Sequence, residues 1–266
     1  MKVYISVDIE GIAGVVSWDQ CGPDKNDYAY ARRQMTAEAV AACRGAIDAG
    51  ATEILVKDAH GNARNIEPDL LPPEAKLSRG WSGHPFFMMD DLDDSFAAAM
   101  LIGYHSRAGS GGSPLAHTMS TCVTQMTING QPVSEAVINA MAAAMLTVPT
   151  VFVAGDELLC QDVRQYNRAI GTVATQRGKG DGVVCIQPAL AVARIQEGAA
   201  KALRGSLADC LTPLPPAFEL VIEYREAKTA YGRSFYPGAR RLDDRRVGLQ
   251  TDQYFEVLRA IAFMVY

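Results

Sequence analysis

The chain has 266 residues, 48% hydrophobic and 21% charged, with a formal net charge of -5. That length allows one large α/β domain, or a core with a smaller appendage, and ample apolar surface to bury. The acidic balance leaves no electrostatic footprint for nucleic acid. The single basic cluster, Arg240-Arg241 with Arg245-Arg246, is interleaved with Asp243 and Asp244, as in a solvated turn.

Lys2 to Val7 is β-favouring and largely apolar, and it runs straight into Asp8, Glu10 and Gly11. In a strand, residues two apart share a side, so Asp8 and Glu10 are expected to present their oxygens together, with Ile9 facing away. Open α/β sheets hold ligands at strand ends. Two carboxylates there repel each other unless a cation lies between them; an acid that merely caps a turn is the plainer alternative. Asp8 also interrupts the apolar run before it can serve as a secretory signal.

After a glycine-containing loop, a helix is expected from about Tyr28 to Ala49, with Met35, Ala39, Cys43, Ala46 and Ile47 on its apolar stripe. Glu53 to Lys57 reads as a strand that leads into Asp58 and His60. Residues 64–95 read as an irregular excursion rich in proline and glycine, carrying Trp81, His84, Phe86 and Phe87. His84 reads as an exposed-loop histidine, and the aromatic residues as pocket lining or a subunit contact. Phe96 to Tyr104 is a third apolar run and ends in His105. Three strands thus finish in Asp8/Glu10, Asp58/His60 and His105, and if they are parallel neighbours those ends converge at one sheet edge.

A Gly/Ser-rich loop, Ala108 to Pro114, leads to His117. Ser120 to Ile128 reads as a strand, and Asn129-Gly130 as a two-residue hairpin turn. Ser134 is a plausible N-cap for the next helix. Glu135 fits either a first-turn acid favoured by the helix dipole or a metal ligand. Ala136 to Gly155 is the longest apolar passage, but Asn139, Thr147, Pro149 and Thr150 break it, so a buried helix and strand are expected instead of a membrane span.

Thr150 to Ala154 reads as a strand, and a helix is expected from Asp156 to Ile170, with Asp156 as its cap. Segments 172–175 and 183–186 read as strands about a glycine-rich turn. Pro188 to Leu203 reads as a helix, residues 211–216 as a linker, and the remainder as strands near 218–224 and 246–251 before a terminal helix. The expected architecture is α/β, a mostly parallel central sheet flanked by helices, with a smaller C-terminal α+β portion. The expected division is a metal-binding catalytic part over 1–210 and the smaller portion over 211–266. Six cysteines without a C-x-x-C pair point to reduced thiols and a cytoplasmic, soluble protein.

Asp8, Glu10, His60, His105 and Glu135 are the candidate ligands. Zinc takes imidazole nitrogen and carboxylate oxygen and keeps a position open in catalytic sites. Five donors, three of them carboxylates, suit two zinc ions with Asp8 as a bridge, an arrangement that activates water and polarises a carbonyl. His117, on a flexible loop, reads as the acid/base or nucleophilic group near the metals, or as a histidine capping loop backbone. A metal-dependent phosphoesterase and a non-catalytic small-molecule-binding α/β protein are the other readings. The latter lacks a G-x-G-x-x-G or P-loop after the first strand.

Several stretches together resemble the zinc-dependent D-aminopeptidase family of bacteria: Ser6-Val7-Asp8-Ile9-Glu10-Gly11, Asp58-Ala59-His60 with Asn65, and Gly103-Tyr104-His105-Ser106-Arg107-Ala108. His117-Thr118-Met119, Pro132-Val133-Ser134-Glu135 and Val153-Ala154-Gly155-Asp156 complete the set. The likeness runs from residue 1 to about 190 and thins beyond. It implies two zinc ions on Asp8, Glu10, His60, His105 and Glu135, with His117 catalytic. It also implies short D-amino-acid peptides or amides as substrates, and ring-shaped homo-oligomers, decamers, around the active sites. The loop Ser110 to Pro114 is about one residue longer than the family pattern, which bears on substrate preference.

Overall fold

A computed structural model describes residues 1–266. In chain order the elements are β1 (Lys2–Val7), α1 (Tyr28–Asp48), β2 (Glu53–Asp58), β3 (Ala75–Ser78), β4 (Ala98–Tyr104), β5 (Val123–Ile128), β6 (Gln131–Pro132) and α2 (Glu135–Met145). There follow β7 (Thr150–Asp156), α3 (Glu157–Tyr166), β8 (Gly171–Lys179), β9 (Gly182–Cys185), α4 (Pro188–Arg204), β10 (Phe218–Tyr224), α5 (Ala227–Arg233), β11 (Arg240–Arg241), β12 (Arg246–Thr251) and α6 (Tyr254–Val265).

Seven strands form the main sheet in the order β3-β2-β1-β4-β7-β8-β9, parallel throughout except that β9 runs antiparallel to β8. β4 and β7 are buried along their whole length, which is why their sequences are continuously apolar without alternation. α1 and α4 pack on each other and on the main sheet, while α2 packs against β4, β7, α3 and α6. A second, antiparallel sheet has the order β11-β12-β10-β5-β6. It draws strands from both sides of residue 210, and α6 joins it to α2. The expected α/β class therefore stands. No helix is long and apolar enough to cross a membrane.

Three local expectations are corrected. β1 stops at Val7, so Asp8 and Glu10 lie in a turn beyond it. They share a side because the chain bends, with Gly11 N–H donating to Gly103 O at 2.8 Å and Ile12 N–H to Ile9 O at 3.2 Å. Here glycine is required at two places. A Cβ on Gly11 would lie 1.7 Å from the Tyr104 carbonyl oxygen, and one on Gly103 (φ +72°) would lie 2.2 Å from that of Asp8. Residues 64–95 contain the edge strand β3, paired with β2. α3 ends at Tyr166, short of Ile170. Asn167 turns extended there, and its side-chain amide donates to Asp209 O and Thr212 Oγ1.

One buried acid outside the strand-end cluster lies on α1. Glu38 on α1 is fully buried, and its Oε1 accepts from Ala13 N–H and Gln34 Nε2, both at 3.0 Å. Its Oε2 has no partner. Burial pushes the carboxyl up to about 7. Because the folded value exceeds the unfolded one, the folded state keeps its proton longer, and stability is lost as pH rises from the unfolded carboxylate range to about 7, with no further loss above it. Glu38→Gln is expected to remove that loss. Between about pH 5 and pH 8, wild type should lose roughly 3 kcal/mol more than the variant in urea unfolding. Parallel pH profiles would refute the assignment.

Candidate metal centre

β2, β1 and β4 are adjacent and parallel, so their C-terminal ends open on one edge, as expected. Asp58 ends β2 but does not reach the centre. Its carboxylate accepts from Asn65 N–H (2.5 Å), Ile66 N–H (2.8 Å) and Asn65 Nδ2 (2.8 Å). Asn65 in turn donates to His60 O and accepts from the Tyr28 hydroxyl. This knot presents His60. Its Nε2 lies 2.7 Å from Cys21 O, and since a carbonyl only accepts, Nε2 carries hydrogen. Nδ1 then faces Asp8 Oδ1 at 3.2 Å and Glu10 Oε2 at 3.0 Å.

His105 is held in the same manner. Its Nδ1 lies 2.9 Å from Ser106 O, which turns Nε2 towards Asp8 Oδ2 (3.5 Å) and Glu135 Oε1 (3.6 Å). Ser106 is itself fixed by Asp156, whose carboxylate accepts from the Ser106 N–H at 2.5 Å and from its hydroxyl. Glu135 opens α2 behind the Ser134 cap and accepts from Met119 N–H at 2.6 Å. His117 Nδ1 is 2.8 Å from Leu115 O, and Nε2 is 3.6 Å from Glu135 Oε1. Its ring stacks on His105 with centroids 4.2 Å apart, and Trp18 meets it edge-on at 5.3 Å. All six candidate residues thus come together.

Two overlapping trios have ligand atoms within 4.8 Å of one another: Asp8, Glu10 and His105, and His105, His117 and Glu135. Glu10 Oε2 and His105 Nε2 are buried without any hydrogen-bond partner. Buried polar atoms are rarely left so. Three carboxylates and imidazoles whose outer N–H groups are pinned on carbonyls form a donor set that fits borderline divalent cations. Left to protons alone, burial and then Glu10 hold the Asp8 carboxyl well above its usual range. Burial opposes the charged form of His60 and His105, but the acids outweigh it, taking His60 well above its ordinary value and His105 to about 9. Protons there do what a metal would do.

His117 goes the other way. Burial, and next the His105 ring, hold it below the usual imidazole range, which favours its neutral form. It borders a cavity of about 490 Å³ whose floor is Asp8, Glu10, His60 and Glu135 and whose walls include Trp81, His84, Phe87, Met119 and Tyr266. Phe86 is buried and points elsewhere.

A profile of the D-aminopeptidase family matches residues 1–263. The chain belongs to that family. A D-aminopeptidase of Bacillus subtilis (strain 168) is 35% identical over 241 residues, 90% of this chain and 86% of the relative. The solved structure of the zinc-dependent D-aminopeptidase DppA of Bacillus subtilis, described as a self-compartmentalizing protease, superposes with a TM-score of 0.93 at 32% identity. It covers 100% of this chain and 97% of that one. As a member of the D-aminopeptidase family the chain is a peptidase, which sets aside the phosphoesterase and the non-catalytic readings.

Sequence reasoning missed the supports. Asp156 was legible as a cap, and it is one, accepting from Leu159 N–H at 2.9 Å. Its second task, on Ser106, has no local signal. The Cys21 carbonyl and Trp18 carry none either.

Proposed function

We propose that this chain is a dinuclear zinc D-aminopeptidase that removes the N-terminal residue, D-configured, from short peptides or amino-acid amides. Asp8, Glu10, His60, His105 and Glu135 would hold the two ions, and His117 would be the catalytic residue. The observation that carries this is the pair of orphaned buried atoms, Glu10 Oε2 and His105 Nε2, aimed into a cluster of acids and imidazoles. The zinc dependence of the DppA relative supports the choice of metal.

When bound, zinc supplies a Lewis acid and lowers the pKa of a coordinated water to about 7. The chain's own residues do the rest. His60 and His105 keep their lone pairs inward because Cys21 O and Ser106 O take their outer hydrogens. His117, neutral and facing the cavity, accepts a proton at Nε2 and returns it to the departing amine. The cavity walls exclude water and seat the peptide.

A ring-shaped homo-oligomer, decameric as the family likeness implies, would enclose these cavities, in keeping with the self-compartmentalizing relative. A cytoplasmic setting is supported by six unpaired cysteines. Protein purified without chelator is expected to carry close to two zinc per chain and to cleave D-alanine amide in preference to L-alanine amide. One zinc per chain would sink the dinuclear reading. Equal rates on both enantiomers would sink the stereochemical one.

A further inference from the structure

Met119 has φ +65°, in the left-handed region that a non-glycine residue occupies only when its surroundings hold it there. It is held at both ends of its peptide unit. Its N–H donates to Glu135 Oε1 at 2.6 Å, and its carbonyl accepts from the Tyr266 hydroxyl at 2.8 Å. Tyr266 therefore reaches the candidate ligand Glu135 through Met119, which lies two residues after His117. Its ring has a second neighbour. Phe87, itself at φ +46°, lies with its centroid 5.4 Å away. Both rings border the cavity above the strand ends, and Tyr266 is 59% exposed, so it stands at the lip.

We propose that Tyr266 is a positioning and specificity-determining residue. Its hydroxyl clamps the Met119 turn that fixes Glu135, and its ring, with Phe87, forms the apolar wall against which the side chain of the substrate's N-terminal residue packs. This rests on the peptidase reading above. The two tasks separate chemically. Phenylalanine keeps the wall and loses the clamp; alanine loses both. A loosened Glu135 lowers turnover and weakens the hold on metal, whereas a missing wall weakens ground-state binding and changes which side chains fit.

The test uses full-length, zinc-loaded wild type, Tyr266→Phe and Tyr266→Ala, with D-alanine amide and D-phenylalanine amide. Tyr266→Phe is expected to lower kcat about five- to tenfold at nearly unchanged KM, and to speed the stripping of zinc by a chelator by a similar factor. Tyr266→Ala is expected to add a rise in KM of about fivefold or more for D-alanine amide. It should also shift the kcat/KM ratio of the two amides by at least about fivefold, the larger side chain gaining. If Tyr266→Phe matches wild type within about twofold in kcat and zinc release, the clamp is refuted. If Tyr266→Ala leaves KM and the ratio within about twofold, the wall is refuted. Wild type inert on both amides would refute the proposed D-amino-acid amide substrates instead, and zinc release would still decide the clamp. Thermal melts of both variants guard against a misfolded Tyr266→Ala being misread.

Discussion

Replacing His117 by alanine is expected to lower kcat by about 10²–10⁴-fold while zinc content stays near two per chain. The side chain makes one backbone hydrogen bond, to Leu115 O within its own loop, so little of the fold depends on it. Its Nε2 lies 3.6 Å from Glu135 Oε1, the same distance as His105 Nε2, and geometry alone would let either ring serve as a ligand. Position separates them. His105 is pinned beneath, buried to 1%, whereas His117 faces the cavity. The metal count therefore decides between the two roles. Loss of one zinc in His117→Ala makes His117 a ligand, and full zinc with turnover within tenfold of wild type ends its catalytic role.

The strand ends were legible because β1, β2 and β4 are interior strands, and each runs apolar until a charged or imidazole residue breaks it. Parallel neighbours then put those breaks on one edge. Glu135 was legible only as one of two readings, since a helix-opening acid looks the same whether or not it reaches a site. What settles its surroundings is Met119, whose left-handed turn depends on two long-range partners and leaves no trace in spacing. β3 was missed because it is a four-residue edge strand between prolines and glycines, only partly buried, and too short for its Ala75/Leu77 alternation to stand out. The second sheet was hidden for a different reason. β5 pairs with β10 across more than 90 positions, and neither strand carries a mark of its partner. The cavity walls likewise join Trp81, Phe87 and Tyr266 from distant parts of the chain; composition raised the aromatics of the 64–95 excursion as pocket lining, but nothing local pointed to Tyr266.

Asp8→Asn should change stability with opposite sign depending on metal. Asp8 is 2% exposed and meets Glu10 through the His60 ring that both address. Burial, and then Glu10, raise its carboxyl well above the ordinary value. A raised folded value means that stability falls as pH climbs past the unfolded carboxylate range, so at neutral pH the carboxyl of Asp8 costs the metal-free fold stability. Asparagine keeps the shape and one acceptor oxygen, which can still take the Ile9 N–H that Asp8 Oδ1 holds at 2.8 Å. Metal-free Asp8→Asn is therefore expected to melt a few degrees above metal-free wild type, at roughly 2–4 °C per kcal/mol for a chain of this size. With zinc the order reverses. Wild type gains about 2.7 kcal/mol when free zinc stands at a hundred times its dissociation constant, and the variant, deprived of one of the acids proposed to hold the metal, gains little and loses turnover by about 10³-fold or more. Calorimetric scans with and without chelator give all four melting temperatures. A variant that melts below wild type in both conditions would mean that Asp8 holds the fold through its hydrogen bonds, and that the repulsion among these acids is not what a cation relieves.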